Sequence, residues 1–255
     1  MTKYIIFRHG QTDWNKNDLI LGHTDIPLND AGKLQAMQIR EKLSDKKAPD
    51  VIFSSDLQRC VQTAEIVYPN RKIIKTKLLR EMNFGIYEGK NRWEVRKNNH
   101  RLFDEILDNP HHPLHLFTPL PEGESFAEAF QRLLKFLLQT DKKYPGKQIA
   151  LFTRGDITKS IFKINQMPVP EIGHGSFFCF DFDAETMSFA DFEFRIIQKK
   201  LYFPASAARL TKNAHRRSWE FFYLRRRTNR KNCAKFHRAQ KSEYSHRLVR
   251  NVKNP

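Results

Sequence analysis

Short apolar runs alternate with amphipathic stretches along the first two hundred residues. The β-branched and aromatic run from Lys3 to Arg8 ends at Gly10, which predicts a buried strand that leads into a loop. The apolar runs at residues 51–53, 73–74 and 149–152 predict three more strands. Two alternating segments, 176–182 and 187–194, predict a final hairpin.

Helical periodicity fills the intervals between these strands. A cap at Asn29 or Asp30 predicts a helix to about Lys46. Its predicted inward side chains include Leu34, Met37 and Leu43. Further predicted helices cover residues up to 67 after a cap at 54–56, then roughly 93–107, 125–140 and 156–164. Strands that alternate with helices predict an α/β three-layer sandwich around a mostly parallel sheet, with ligands at the carboxyl ends of the strands.

Charge is distributed unevenly along the chain. The net charge is +17, but residues 201–255 hold 15 basic and 2 acidic side chains and so account for +13. The first 200 residues hold 30 basic and 26 acidic side chains, and all ten glycines lie at or before Gly175. We therefore predict a near-neutral domain over residues 1–200 and a basic tail over residues 201–255.

Three interpretations of the tail stay open. Trp219, Phe222 and Tyr223 are spaced i, i+3, i+4 and precede three arginines at 225–227. This pattern is typical of a basic amphipathic helix that contacts nucleic acid or anionic lipid. The other interpretations are a disordered segment and a segment never selected as protein, such as the product of a late reading-frame change.

The apolar residues are sufficient for a core but too dispersed for a membrane span. Hydrophobic residues make up 40% of the chain, yet no apolar run reaches the ~18 residues that cross a bilayer. The amino terminus has no signal-peptide pattern. Cys60, Cys179 and Cys233 are widely spaced and odd in number, which favours reduced thiols in a cytoplasmic protein.

The residues that follow the first strand suit phosphate chemistry. His9 at a strand end can attack phosphorus when its imidazole is neutral. The guanidinium of Arg8 can hold phosphate oxygens through two parallel hydrogen bonds, and Gly10 lets the backbone turn away. The tripeptide alone is a weak indication, because such sequences are more often surface turns.

Longer sequence blocks surround and follow this tripeptide. They are residues 8–15 (RHGQTDWN) with 22–32 (GHTDIPLNDAG), 54–65 (SSDLQRCVQTAE), 79–85 (LREMNFG) with 87–89 (YEG), and 123–125 (GES). These blocks resemble those of the histidine phosphatase (phosphoglycerate-mutase-like) superfamily, and their order and spacing agree from Tyr4 to about Phe194. The resemblance implies a phosphoglycerate-mutase-like fold.

The resemblance also implies a role for each of five residues. His9 would accept the phosphoryl group, while Arg8 and Arg59 would bind its oxygens and stabilise the transferring charge. Glu81 would protonate the leaving alkoxide and then deprotonate the attacking water. Asn15 would contact substrate or phosphate. Neither a metal nor a cofactor is implied.

One position departs from the family pattern. The block after the fourth strand normally reads Ser or Thr, His, Gly, whereas here Arg154 stands where the second catalytic histidine is expected. Arginine keeps a donor and a positive charge but is longer, forked and permanently charged. We therefore expect phosphate binding to persist and turnover to fall. His174 is expected to be a poor replacement, since it lies beyond the next helix, and Asp156 is interpreted as a helix-capping carboxylate.

Two other polar clusters receive structural interpretations. The histidines within residues 111–115 lie in a proline-containing loop without nearby Cys, Asp or Glu, so we expect no metal there. Lys90, Arg92 and Arg96 are interpreted as a solvated helix face in preference to a rim for anionic substrate.

The sequence therefore predicts a cytoplasmic phosphatase that hydrolyses small phosphomonoesters through a phosphohistidine on His9. A domain of about 200 residues resembles the compact phosphatase branch of the family more than the full mutases. Two alternatives stay open: a phosphate-ligand-binding pseudoenzyme weakened by Arg154, and a phosphoglycerate-mutase-type phosphotransferase. The expected partner is a small phosphorylated substrate, with nucleic acid or anionic lipid as further candidates for the tail.

Overall fold

The computed structural model describes residues 1–164, 167, 169, 172–195 and 200–202. All of them belong to the first of two units, Met1–Arg209 and Leu210–Pro255. Within these described residues, no helix is long and apolar enough to cross a membrane. The aromatic and basic pattern around Trp219 lies outside them.

The strands of this part form one mixed sheet. In chain order they are β1 (Thr2–Arg8), β2 (Val51–Ser55), β3 (Ile73–Thr76), β4 (Gln148–Thr153), β5 (Phe177–Asp183), β6 (Ser188–Arg195) and β7 (Lys200–Tyr202). Their order in the sheet is β3-β2-β4-β1-β5-β6-β7. The first four in that order run parallel, and each later pair is antiparallel. The predicted strands and the final hairpin are confirmed.

Strand β7 extends the sheet beyond the prediction. It pairs with β6 and includes Leu201 and Tyr202, the first two residues of the predicted tail. Residues 203–255 lie outside the described part of the chain, so the boundary between domain and tail stays a prediction.

Helices connect the strands of the sheet. They are α1 (Asp13–Lys16), α2 (Asp30–Lys42), α3 (Gln58–Val67), α4 (Arg92–Asn98), α5 (Phe126–Lys143) and α6 (Gly155–Ile164), with 3-10 turns at Lys77–Leu79 and Gly85–Tyr87. Helical structure is confirmed over most of the predicted range 93–107, but Asn99 interrupts it and separates α4 from a π-helical segment at Arg101–Leu107. The Asn99 side chain donates to the Val95 carbonyl and accepts from the Tyr87 hydroxyl, which fixes it in a non-helical conformation.

Helix α2 packs with a different face inward from the one predicted. Leu34 and Met37 are 57% and 50% exposed, whereas Ala36 and Ile39 are buried and Leu43 packs partly against the core. The loop after β1 packs closely against Gly32, where an added Cβ would lie 2.1 Å from the Gln11 carbonyl oxygen. The close approach of this glycine sets the rotation of the helix.

The amino-terminal caps of α5 and α3 both differ from what the sequence predicted. Ser125, the first residue of the helix predicted over residues 125–140, instead caps α5 in a reciprocal pair with Glu128. The predicted cap of α3 at residues 54–56 is wrong: Asp56 instead binds the guanidinium of Arg80 at 2.7 and 2.6 Å. The first amide of α3 donates to Asp25, which lies in a distant loop, at 2.7 Å.

Helices cover both faces of the sheet and complete a three-layer sandwich. On one face, α2 and α3 pack over Phe7 and Phe152, whose rings stack with centroids 4.6 Å apart. On the other face, α5 contacts the sheet through Phe136, whose ring meets Phe53 edge to face, and through Thr140, which hydrogen-bonds to the Tyr4 hydroxyl at 2.9 Å. The site residues follow the carboxyl ends of these buried strands.

Two truncations in α2 test its observed rotation. We expect Ile39→Ala to lower the free energy of unfolding by about 2–5 kcal/mol, because it leaves a cavity in the core. Leu34→Ala removes a side chain of the same size from the exposed face and should change it by no more than about 0.5 kcal/mol. Urea denaturation followed by circular dichroism measures both values. Equal costs would contradict the observed rotation.

Candidate active site

The ends of two adjacent parallel strands bring the sequence motifs together. Arg8 at the end of β1 is aligned with Thr153 at the end of β4, and the His9 amide donates to the Thr153 carbonyl at 3.1 Å. His9 and Arg154 are therefore neighbours across the sheet edge, as the strand-end placement of their motifs predicted.

The imidazole of His9 is buried and held in one tautomer. Its Nδ1 lies 2.6 Å from the Gly10 carbonyl oxygen, which can only accept, so Nδ1 carries the proton. The other nitrogen, Nε2, is buried and has no hydrogen-bond partner. An unprotonated Nε2 with an unused lone pair is the atom that could attack phosphorus.

The surroundings of His9 hold it in the neutral form. Burial is the largest cause that lowers its pKa well below the ordinary value of about 6.5. Nearby ionisable groups act in the same direction, namely Arg59, Arg154, His174 and Arg8. At neutral pH the imidazole is therefore uncharged among fixed positive charges.

The two arginines assigned to phosphate are anchored by backbone carbonyls. Arg59 is fully buried and donates to the carbonyls of Gly22 at 2.5 Å and Thr24 at 2.8 Å. Arg8 donates to the Ile172 carbonyl through Nη1. In both guanidiniums the Nε atom is buried without a partner, which leaves a donor for an anion.

The loop that anchors Arg59 is itself fixed by one carboxylate. Glu88 accepts hydrogen bonds from the amides of His23 and Thr24, each at 2.7 Å, and from the Thr24 hydroxyl at 2.5 Å. It also accepts from the Phe84 amide at 3.2 Å. The Tyr-Glu-Gly block thus organises the carbonyls that hold the arginine.

Glu81 follows the 3-10 turn at Lys77–Leu79. Its side chain contacts the first turn of α6, and the residue is 1% exposed. Its Oε1 accepts from the amides of Met82 and Ile157 at 2.8 Å, and its Oε2 accepts from the amide of Asp156 at 3.1 Å. Burial, followed by the charge of Asp156, raises the pKa of Glu81, while Arg154 and the backbone amides act against that rise.

A second network fixes the segment that carries Glu81. Arg132 donates to the carbonyls of Leu78 at 3.0 Å, Arg80 at 2.7 Å and Glu81 at 3.0 Å, and its Nη2 lies 2.8 Å from a Glu124 carboxylate oxygen. This contact gives the Gly-Glu-Ser block a role in the geometry of the site. Arg132 was missed in the sequence because no motif contained it.

Arg154 is directed toward Glu81. Its side chain is 5% exposed, and its Nε lies 3.6 Å from Oε2 of Glu81. Its charge also lowers the pKa values of His9, Arg8 and Arg59, so it shares their surroundings. It therefore adds a third guanidinium beside the imidazole.

Asp156 and Asn15 have mainly local contacts. Asp156 lies in the first turn of α6 and binds Lys159 at 3.1 Å, and the charges of Lys159 and Arg154 lower its pKa against the opposing effect of burial. The Asn15 side-chain oxygen accepts from the Thr12 amide and hydroxyl at 3.2 and 3.0 Å. Its Nδ2 is buried without a partner and provides one more donor.

His174 joins the site, contrary to the expectation that it lies too far along the chain. Its ring centroid is 5.9 Å from that of His9, and its Nε2 lies 2.9 Å from Nη2 of Arg8. The antiparallel pairing of β5 with β1 explains this, because β5 begins where β1 ends. The sequence predicted the hairpin but not the strand with which it pairs, so it gave no indication that His174 lies beside His9.

The remaining candidate residues separate in the structure. Arg96 pairs with Asp104 and with Asp108, the latter at 2.7 Å, and so belongs to a surface network. Nε of Arg92 lies 4.0 Å from a carboxylate oxygen of Asp18. The charge of Arg92 lowers the pKa values of Arg8 and His174, so Arg92 lies near the site. Among the described residues no group of three metal-ligating side chains is found.

Comparisons with known proteins identify a family model and relatives that this chain matches. The model of the histidine phosphatase superfamily (branch 1) matches residues 4–187. Phosphoglycerate mutase-like protein 4 of Arabidopsis thaliana is 29% identical over 62% of this chain and 69% of its own length. The uncharacterized phosphatase PhoE of Bacillus subtilis is 31% identical over 61% of this chain and 72% of its own length. The structure of Bacillus stearothermophilus YhfR is similar with a TM-score of 0.64 and 28% identity, over 74% of this chain and 94% of that one.

The tautomer and charge of His9 are open to direct measurement. At pH 5.5 we expect His9 to remain neutral with the proton on Nδ1, because burial and the adjacent cations oppose a second proton. Long-range ¹H–¹⁵N NMR correlations of the imidazole nitrogens report this state, and the His9→Ala variant identifies the signal. In urea, where the chain is unfolded, the His9 imidazole should titrate near ~6.5. An imidazolium signal for His9 at pH 5.5 would contradict the electrostatics described above.

Proposed function

Because the chain belongs to the histidine phosphatase superfamily, we propose that it hydrolyses small phosphomonoesters through a phosphohistidine on His9. The observation that carries this proposal is the buried, unpartnered Nε2 of a neutral imidazole beside Arg8, Arg59 and Arg154. Similarity to proteins named as phosphatases supports a phosphatase-type activity in general. The phosphohistidine and the substrate class are the further steps of the proposal.

In the first step His9 attacks and the ester bond breaks. The Nε2 lone pair forms the N–P bond while the P–O bond to the leaving alcohol breaks, and the alkoxide takes a proton from Glu81. The unpartnered Nε donors of Arg8 and Arg59, with Nδ2 of Asn15, would bind the phosphoryl oxygens. Fixed donors of this kind stabilise the charge that spreads over those oxygens.

In the second step water releases the phosphate. Ionised Glu81 takes a proton from the water, whose oxygen attacks phosphorus as the N–P bond breaks. His9 regains its lone pair and Glu81 its proton, so the enzyme returns to its starting state. The raised pKa of Glu81 supports this alternation, because a buried carboxyl with a raised pKa can serve both as acid and as base.

Arg154 supports the alternative of a weakened enzyme that mainly binds phosphate ligands. Its guanidinium lies 3.6 Å from Oε2 of Glu81 and favours the ionised carboxylate, which has no proton for the leaving group. It also adds positive charge that binds free phosphate after hydrolysis. Binding the product as tightly as the transition state gives no gain in rate.

The thiols support the cytoplasmic location that we propose for this enzyme. Cys60 and Cys179, the two cysteines within the described residues, are buried and not joined in a disulfide. Burial raises the pKa of the Cys60 thiol to about 12, so it is not a competing nucleophile.

Removal of the nucleophile tests the reaction itself. We expect His9→Ala to lower the hydrolysis of p-nitrophenyl phosphate by more than about a thousandfold, because the other neutral imidazole of the site, that of His174, uses its Nε2 lone pair to accept from Arg8. A brief exposure of the wild type to substrate should leave acid-labile, base-stable phosphate on His9, detected by mass spectrometry. His100→Ala, which changes a histidine that is 66% exposed, should retain activity. Unchanged hydrolysis by His9→Ala would rule out the mechanism.

Replacement of Arg154 separates the enzyme from the phosphate-binding alternative. Arg154→His should raise kcat by at least ~10-fold, about 1.4 kcal/mol of barrier, because it supplies a compact donor and releases Glu81 from the guanidinium. Arg154→Gln removes the charge without supplying an imidazole and should give a smaller gain. Steady-state kinetics with the three proteins measures this order. A wild type faster than Arg154→His would mean that Arg154 is adapted to the reaction.

A further inference from the structure

The segment before β5 is folded tightly against the end of β1. The Arg8 amide donates to the Ser176 carbonyl at 3.0 Å, and the Ser176 hydroxyl donates to the Gly173 carbonyl at 2.6 Å. Gly175 adopts a positive φ of 68°, a conformation that glycine allows without strain. The resulting turn places the His174 side chain beside the guanidinium of Arg8.

The contact between His174 and Arg8 has a defined direction. Their closest nitrogens, Nε2 and Nη2, are 2.9 Å apart. A guanidinium has donors only, so Nε2 of His174 accepts and the imidazole proton resides on Nδ1. Arg8 also donates through Nη1 to the Ile172 carbonyl, so residues 172–174 hold both terminal nitrogens of Arg8.

The surroundings keep His174 able to accept this hydrogen bond. Burial, followed by the charges of Arg8, Arg154 and Arg92, lowers the pKa of His174 to about 3. A neutral imidazole keeps the lone pair on which the contact depends. His174 also lies next to the nucleophile, with 5.9 Å between the ring centroids of His9 and His174.

We propose that His174 is a positioning residue for phosphoryl transfer: its Nε2 fixes the guanidinium of Arg8 so that the unpartnered Nε of Arg8 meets the phosphoryl group at His9. This inference rests on the proposed function and adds a residue to it. With both terminal nitrogens held by residues 172–174, the guanidinium plane has one orientation. Loss of His174 would free one side of that plane, and small misplacements of catalytic groups lower rates strongly.

A double-mutant cycle tests whether His174 acts through Arg8. We expect His174→Ala to weaken the binding of inorganic phosphate and to lower kcat/KM for p-nitrophenyl phosphate about 10-fold each, because a hydrogen bond to a charged group is lost. In an Arg8→Ala background the same change should cost less than ~2-fold. Calorimetric titration with phosphate and steady-state kinetics give the two readouts. Equal losses in both backgrounds, or no loss when Arg8 is present, would overturn the proposal.

Two conservative variants identify the nitrogen that matters. A glutamine side chain can present an acceptor near the position of Nε2, whereas the shorter asparagine reaches only the position of Nδ1. His174→Gln should therefore retain phosphate affinity and kcat/KM within ~3-fold of the wild type, while His174→Asn should resemble His174→Ala. Thermal denaturation checks that each variant is folded. Equal losses in the glutamine and asparagine variants would show that the ring fills space and does not orient Arg8.

The phosphate titration also separates this inference from the proposed function. A wild type that binds phosphate but releases no p-nitrophenol would contradict hydrolysis, and the cycle on phosphate affinity would still decide the role of His174. A wild type that hydrolyses substrate with no sensitivity to His174 would contradict the positioning role alone.

Discussion

The site depends on keeping an imidazole neutral while it is surrounded by buried positive charge. His9 is fully buried, and Arg59 and Arg154 are 0% and 4% exposed. Removal of these charges from water is costly unless each finds hydrogen-bond partners. Arg59 and Arg8 obtain part of this compensation from backbone carbonyl groups, which accept hydrogen bonds without protonating and leave the positive field intact. That field opposes protonation of His9 and would favour an anion beside it.

The carboxylates near the site mainly fix the backbone. Glu88 holds the loop of residues 22–24, whose carbonyls bind Arg59, and Arg132 with Glu124 holds the segment that carries Glu81. Acidic groups at these positions determine geometry without neutralising the guanidiniums beside His9. Glu81 is the exception, because its Oε2 lies 3.6 Å from Nε of Arg154 and its carboxyl is the proton donor in the mechanism that we propose. The motif blocks therefore divide into residues that would touch phosphate and residues that place them.

Sequence reasoning located the site where the relevant contacts are local. Arg8 and His9 follow a strand directly, and the neighbouring strand β4 ends at Thr153, so alternation of strands and helices was sufficient to bring Arg154 beside them. It failed where a contact is set by pairing between distant segments. His174 reaches His9 because β5 runs antiparallel to β1, and Gly32 rotates α2 through a close contact with a loop. The hydrophobic pattern of the sequence shows neither the pairing partner of β5 nor the close contact at Gly32.

Arg154 follows β4 at the position where the family pattern has a histidine. His174, which precedes β5, brings another imidazole to the site. With His174 beside Arg8, the site still has two imidazoles near the phosphoryl position, but it holds one guanidinium more than the family pattern gives. An extra fixed charge stabilises the bound phosphate in the ground state as well as in the transition state, and such uniform binding lowers KM without raising kcat. In the proposed mechanism the contacts around Arg8 and His9 would serve phosphoryl transfer, whereas Arg154 would act on proton transfer through Glu81 and on product release through its charge. Arg154 would thus link phosphate binding to turnover within one site.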